Sequence, residues 1–256
     1  MLTGKAMRTL FRTMFAAMLA LAWIPAANAG LFTNNYGAAI ANLSDCDDCA
    51  STAPVQFGGG QSIKFFGATY TGLYISSNGY LTFDAPHTSF ATQAIDTQTV
   101  GPMIAGLFTD LDTSGDATSN VYVNTLAVGE IVVTYEMVVH ALGGDLRSTF
   151  QLLVRSDQKF IPSGQGQLGF FYGDINDSND VSAGFGNGLA TVDPREVSFA
   201  SMVTGSNLSN NAPRYYTLEG GTVVEPPATN VPEPASLMLT GAGLAGLAAR
   251  RRRQRP

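Results

Sequence analysis

Cysteine, histidine, tryptophan and positive charge are all scarce in this chain, and each scarcity closes a class of function. Cys46 and Cys49 are the only cysteines. Zinc wants four N or S ligands, and beyond these two sulfurs only His87 and His140 are available. No Gly-x-Ser-x-Gly elbow, His-Glu-x-x-His pair or Gly-rich phosphate loop occurs. The one tryptophan, Trp23, lies in the N-terminal segment. Of 14 Lys and Arg, three precede residue 30 and five follow residue 249, whereas no Asp or Glu precedes Asp45 or follows Glu233. Between the two ends six basic residues face twenty acidic ones, a net charge of −14 that the whole-chain value of −6 hides. Nucleic-acid binding rests on Lys and Arg neutralising phosphates, so this balance argues against it. An acidic surface suits solubility and the collection of divalent cations.

What the chain does have is glycine, with 28 residues, and short β-branched runs. Ile131 to Val139 is long enough for a central strand, and Val121-Tyr122-Val123, Phe150 to Val154 and Leu168 to Tyr172 read likewise, each bounded by Gly, Asp, Asn or Ser. No 3.6-residue amphipathic period interrupts them. The expected class is all-β, a β-sandwich-like domain of antiparallel strands over residues 30–218. From 219 to 230 the chain turns to Gly220-Gly221 and Pro226-Pro227, and is expected to be an extended spacer. No internal repeat is visible.

Both ends carry targeting features. Lys5, Arg8 and Arg12 precede an apolar stretch from Thr13 to Ile24 and the small-residue site Ala27-Asn28-Ala29, the form of a Sec signal peptide over 1–29, here expected as a flanking helix removed by signal peptidase. At the other end Val231, Pro232, Glu233, Pro234 and Ala235 precede an apolar run from Leu237 to Ala249, then Arg250, Arg251, Arg252, Arg253 and Arg255. The run is 13 residues, whereas a helix needs about 20 to span the hydrocarbon layer, so it is marginal as a permanent anchor. Retained arginines fit the positive-inside bias of a stop-transfer segment. Residues 231–256 closely resemble the PEP-CTERM sorting signal of Gram-negative bacteria. That resemblance implies an exosortase as partner, cleavage near the motif, a transient stay in the inner membrane, and delivery to the cell surface or exopolysaccharide matrix. An uncleaved, membrane-tethered protein is the alternative address.

A second resemblance runs through the middle. Leu73 to Phe83 has a strand, Asn78-Gly79, strand form, read as a hairpin whose type I′ turn needs positive φ at both central residues. It is followed by Ile104 to Thr113, Asn120 to Val123, Ile131 to Tyr135, Ser148 to Val154, Phe171 to Ile175 and Ala183 to Gly186. In that order and spacing the blocks, covering about 70–190, resemble the nidogen-like (NIDO) extracellular domain. Phe108 and Tyr135 stand where that family has Trp. The resemblance implies adhesion or matrix association and names no ligand.

Candidate chemistry is thin. Asp110 and Asp112, alternating ahead of Gly115, with Asp116 just after it, resemble the first half of a Ca²⁺ loop, yet Val121 stands at the twelfth position where an EF-hand has its bidentate Glu. Asp174 to Asp180 is a second oxygen-rich loop with which it might share one ion; the competing reading is ordinary turn chemistry. In an exported chain Cys46 and Cys49 are expected as a local disulfide. His140, Asp145 and Ser148 are close in sequence, which says nothing of their meeting in space. Glu130 and Glu136 on one strand lie roughly 20 Å apart, too far for glycosidic chemistry. No other cofactor and no catalytic residue is expected. The reading is an exported, surface-sorted binding or structural module; a secreted hydrolase acting on matrix polysaccharide is the rival.

Overall fold

The computed structural model describes residues 30–125, 127–141, 146–176, 181–191, 193–199, 213–219 and 222–224. The segments expected as signal peptide (1–29) and sorting signal (231–256), with Val231 to Ala235 and Arg250 to Arg255, lie outside the described residues, as do Asp145 and Asp177 to Asp180. The strands are β1 (Ala38–Ala39), β2 (Val55–Gln56), β3 (Ile63–Phe65), β4 (Ala68–Tyr70), β5 (Gly72–Ile75), β6 (Tyr80–Thr82), β7 (Met103–Phe108), β8 (Leu111–Asp112), β9 (Asn120–Asn124), β10 (Glu130–His140), β11 (Arg147–Arg155), β12 (Leu168–Ile175), β13 (Ser182–Gly186), β14 (Val197–Ser198), β15 (Arg214–Glu219) and β16 (Thr222–Val224). One 3-10 turn, Ala41–Leu43, is the only helical element among the described residues.

An antiparallel sheet runs in the order β1-β9-β10-β11-β12-β15-β16, with β8 also on β10. A second runs β14-β13-β7-β6-β5-β2, and β3 and β4 form a separate hairpin. The sheets face each other through period-two alternation. Ile131, Val133 and Tyr135 of β10 point into a core shared with Ile75, Leu81 and Ile104 of the other sheet, while Val132 packs in a separate outer cluster. Two tyrosines bridge the layers: Tyr135 Oη donates to Ser76 O at 2.8 Å, and Tyr172 Oη to Gly106 O at 2.8 Å. Burial presses both phenols well above the ordinary tyrosine range, so both remain donors.

Each sheet is covered on its outer face as well, which explains why β7 and most of β11 are buried throughout. Residues 31–36 cross the larger sheet. Phe32 sits 5.2 Å from Phe171, and Thr33 exchanges backbone bonds with the Gln151 amide at 3.1 and 2.9 Å. The loop 84–101 covers Tyr80, Met103 and Phe108 on the smaller one. Phe108 packs 4.6 Å from Tyr80, and Tyr135 stacks 4.5 Å from Phe150, so both of the positions where the nidogen-like family has Trp are filled by packed aromatics.

Two local features differ from the sequence reading. Among Ser77, Asn78 and Gly79 only Gly79 has positive φ, +80°, and Ser76 N donates to Tyr80 O; this is a three-residue loop, not a type I′ turn. The reason is that the Asn78 side chain is engaged elsewhere, accepting from Leu111 N and donating to Asp48. The domain also continues past 219: β16 pairs with β15 inside the stretch expected as spacer, with Gly220-Gly221 between the two strands.

Candidate functional site

The densest gathering of ionisable groups is at the end of the sandwich where β10 finishes at His140. Asp45-Cys46-Asp47-Asp48-Cys49 lies there, pinned on both sides by backbone bonds. Ser77 N donates to Cys49 O and Ser77 Oγ accepts from Cys49 N; on the other flank Thr113 Oγ1 accepts from Cys46 N and donates to Leu43 O. Cys46 and Cys49 are bonded to each other, with Cα atoms 6.1 Å apart. Asp45 and Asp48 hold positive φ, 59° and 45°, a conformation Asp tolerates better than most residues.

The bridged loop places Asp47 and Asp48 beside Asp110, one carboxylate oxygen of each lying within 4.8 Å of the others. Desolvation raises the Asp110 carboxyl above its ordinary range, and the charges of Asp48, Asp47 and Asp112 add to the shift. Asp47 is raised in the same way, burial first and then Asp48 and Asp112, against a lowering bond from the Asp48 backbone. Like charges held this close favour either a proton or a hard cation between them.

The sequence had grouped Asp110 with Asp112 and Asp116. In the structure Asp112 Oδ1 accepts from Ser114 N at 2.6 Å, an Asx turn, and Asp116 accepts from Thr118 N and pairs with Arg147. Those Thr118 bonds, with Arg147, hold the Asp116 carboxyl below its usual range. Arg147 O also accepts from Asn176 Nδ2 at 2.7 Å, so the described parts of the two oxygen-rich loops meet through an arginine. Asp47 and Asp48 join the cluster from the disulfide loop and stand outside the carboxylates that the sequence groups. No spacing rule reaches from residue 48 to residue 110, so only the bonds that dock the two loops reveal the cluster.

Other candidates are committed to the framework. His140 Nε2 lies 2.7 Å from Ser148 Oγ, closer than sequence proximity promised, and both side chains are buried, at 3% and 0% exposure. Glu130 accepts from Arg155 Nε at 2.8 Å, and Arg155 also donates to Gly166 O. Arg155 is buried and Glu130 partly so.

Among the described residues no helix is long and apolar enough to cross a membrane. No curated protein and no solved structure matches the chain. A family model does, as does a motif model: residues 230–253 match the PEP-CTERM protein-sorting motif, and residues 23–217 match the NIDO-related model. The second match is wider than the blocks between about 70 and 190, in keeping with the core places of Leu43, Phe57, Ile63 and Tyr216. It spans most of the chain, which therefore belongs to the NIDO-related family.

Proposed function

We propose that this is a non-catalytic binding or structural module displayed outside the cell, carried to the inner membrane by the Sec route, held there transiently and released by an exosortase. The PEP-CTERM match marks the chain for export and exosortase processing, and the NIDO-related domain fits an extracellular module. The observation that carries the non-catalytic reading is the engagement of the candidate acid–base groups: His140 and Ser148 are sealed against each other and Glu130 is paired with Arg155. The matrix exopolysaccharide is the partner class we assign to it. The Ca²⁺ expectation passes from Asp110, Asp112 and Asp116 to Asp110 with Asp47 and Asp48, whose oxygens approach one another.

The test is the form of the protein in a host with an exosortase. Wild-type chain should start near Gly30, end close to Pro234, lack Arg250 to Arg255 and leave the inner membrane. Replacing Pro232, Glu233 and Pro234 with alanine should trap it there with its tail intact. Wild-type protein that keeps the arginines in the envelope of such a host refutes the sorting half of the proposal. Saccharide-hydrolysing activity in the purified protein refutes the other half.

A further inference from the structure

The opposite end of the sandwich, where β10 begins, is built differently. Three loops meet there, 57–62, 127–129 and 156–160, and backbone and amide bonds stitch them together. Gly129 N donates to Phe57 O, Ser156 N to Gly129 O, Asp157 N to Ser62 O, and Ser156 Oγ to Gln61 Oε1. Gly129 is forced: φ is +76°, and a Cβ would lie 1.9 Å from Gln61 Oε1.

From this rigid base apolar side chains project outward. Phe160 is 82% exposed, Val128 54%, and Leu189, just past β13 at the same end of the smaller sheet, 69%. These are the three most exposed large hydrophobic residues described. Lys64 and Lys159, the only lysines after residue 30, are also here: Lys64 N donates to Asp157 Oδ2 and Lys159 Nζ to Val128 O. Of the acidic neighbours, Glu130 is paired with Arg155 and Asp193 with Arg195; Asp157 keeps its charge while accepting from Gln167 and Lys64 N, and Asp84 and Glu196 lie beside the loop that carries Leu189.

The register carries the end of the described chain to the same place. Val224 pairs with Thr217, the residue after Tyr216, which pairs with Leu168; Leu168 faces Val154, and Val154 faces Ile131. The last described residue is therefore level with the start of β10. Twelve residues separate it from Leu237, a reach of at most about 45 Å. The acidic end lies about 35 Å farther along β10.

We propose that this end docks on the bilayer that holds the C-terminal segment, with Phe160, Val128 and Leu189 in the headgroup region, Lys64 and Lys159 toward anionic headgroups, and the acidic end turned outward. Apolar loop tips flanked by lysines gain free energy at an interface, while clustered carboxylates are repelled by an anionic surface. Docking would present the stretch after Val224 at a fixed height above the membrane. The inference rests on the reading that Leu237 to Ala249 pauses in the bilayer, and the test separates the two.

Full chain carrying Trp23→Phe with Phe160→Trp, or with Leu146→Trp at the acidic end as control, is reconstituted into phosphatidylethanolamine–phosphatidylglycerol vesicles with brominated acyl chains. The expected result is flotation of both variants with the vesicles, and a blue-shifted, quenched indole at position 160 but not at 146. Flotation with both indoles alike overturns the docking and leaves the membrane-held tail standing. Failure to float overturns both. An indole at 160 that ignores the vesicles but shifts with soluble polyuronate overturns the docking in favour of a saccharide site.

Discussion

The two ends of β10 solve the same problem in opposite ways. Each must fix several loops over a sheet edge without a helix to pack against. At the Glu130 end the loops are joined by backbone and amide bonds, and the one buried cation, Arg155, meets a carboxylate at 2.8 Å. At the His140 end a disulfide and a set of Asx-type bonds hold the loops, and among the described residues no Lys or Arg pairs with the crowded Asp47, Asp48 and Asp110. A buried cation paired with a carboxylate leaves no uncompensated charge at that pair, whereas unmatched carboxylates make the fold sensitive to pH and to cations. The first end is thus suited to carrying exposed apolar side chains on a fixed base, the second to responding to the medium.

The largest effect should come from unbalancing the matched end. Glu130→Ala leaves the buried Arg155 guanidinium without its carboxylate, and removing one partner of a buried pair costs about 3–5 kcal/mol. Urea unfolding would measure it. Replacing both together, Glu130→Leu with Arg155→Met, should recover most of the loss; a double variant as unstable as the single one would show that the charge pairing is not the cause.

At the acidic end the disulfide closes a loop of four residues, for which the chain-entropy relation gives about 2 kcal/mol. Reductant should lower the melting temperature accordingly and leave the protein folded. Intact mass after alkylation, with and without reductant, checks the pairing itself, and two freely alkylated thiols in unreduced envelope material would contradict it.

The smallest effect is electrostatic and has a definite sign. The Asp47 and Asp110 carboxyls are raised first by burial and then by neighbouring carboxylates, Asp48 and Asp112 for both and Asp47 also for Asp110. Their ionisation therefore weakens the fold above the raised pKa, and the penalty lifts as pH falls through it. Asp116 and Asp193 are lowered, by bonds from Thr118 and from Arg195 respectively; their contribution is present above the ordinary carboxylate pKa and lost only as pH falls through the depressed values. Mild acidification from neutrality should therefore raise the melting temperature slightly before strong acid lowers it. Asp110→Asn should raise it at neutral pH and flatten the mild-acid rise. Millimolar Ca²⁺ should act in the same direction by ligand linkage on wild type, and less on Asp110→Asn. A melting temperature indifferent to both returns these residues to turn chemistry.

Much of the body was legible in one dimension. The run from Ile131 to Val139 announced β10, and Leu168 to Tyr172 announced β12, because β-branched and aromatic residues bounded by Gly and Asp leave few other choices. The strands near the N-terminus were less visible: β1 and β2 are two residues each, and β3 and β4 three, too short to show a period. The Asn78-Gly79 turn was misassigned because its Asn bonds to Asp48 and Leu111, partners far away in sequence. The acidic cluster is illegible in the sequence for the same reason, since its members come from the disulfide loop and from a loop about sixty residues on that Thr113 docks against it.

By itself the sequence determined the all-β class and the PEP-CTERM sorting motif near the C-terminus, because alternation, turn residues and the order of charged and apolar segments are local properties of the chain. It also determined the charge asymmetry between the termini and the body. Only the tertiary structure decided which carboxylates share a neighbourhood, that His140 meets Ser148 in the interior, and that the exposed Phe160 and Val128 stand on loops stitched together at the start of β10. Those facts depend on strand register and on contacts between distant loops, and a sheet's register is fixed by the packing of its whole face.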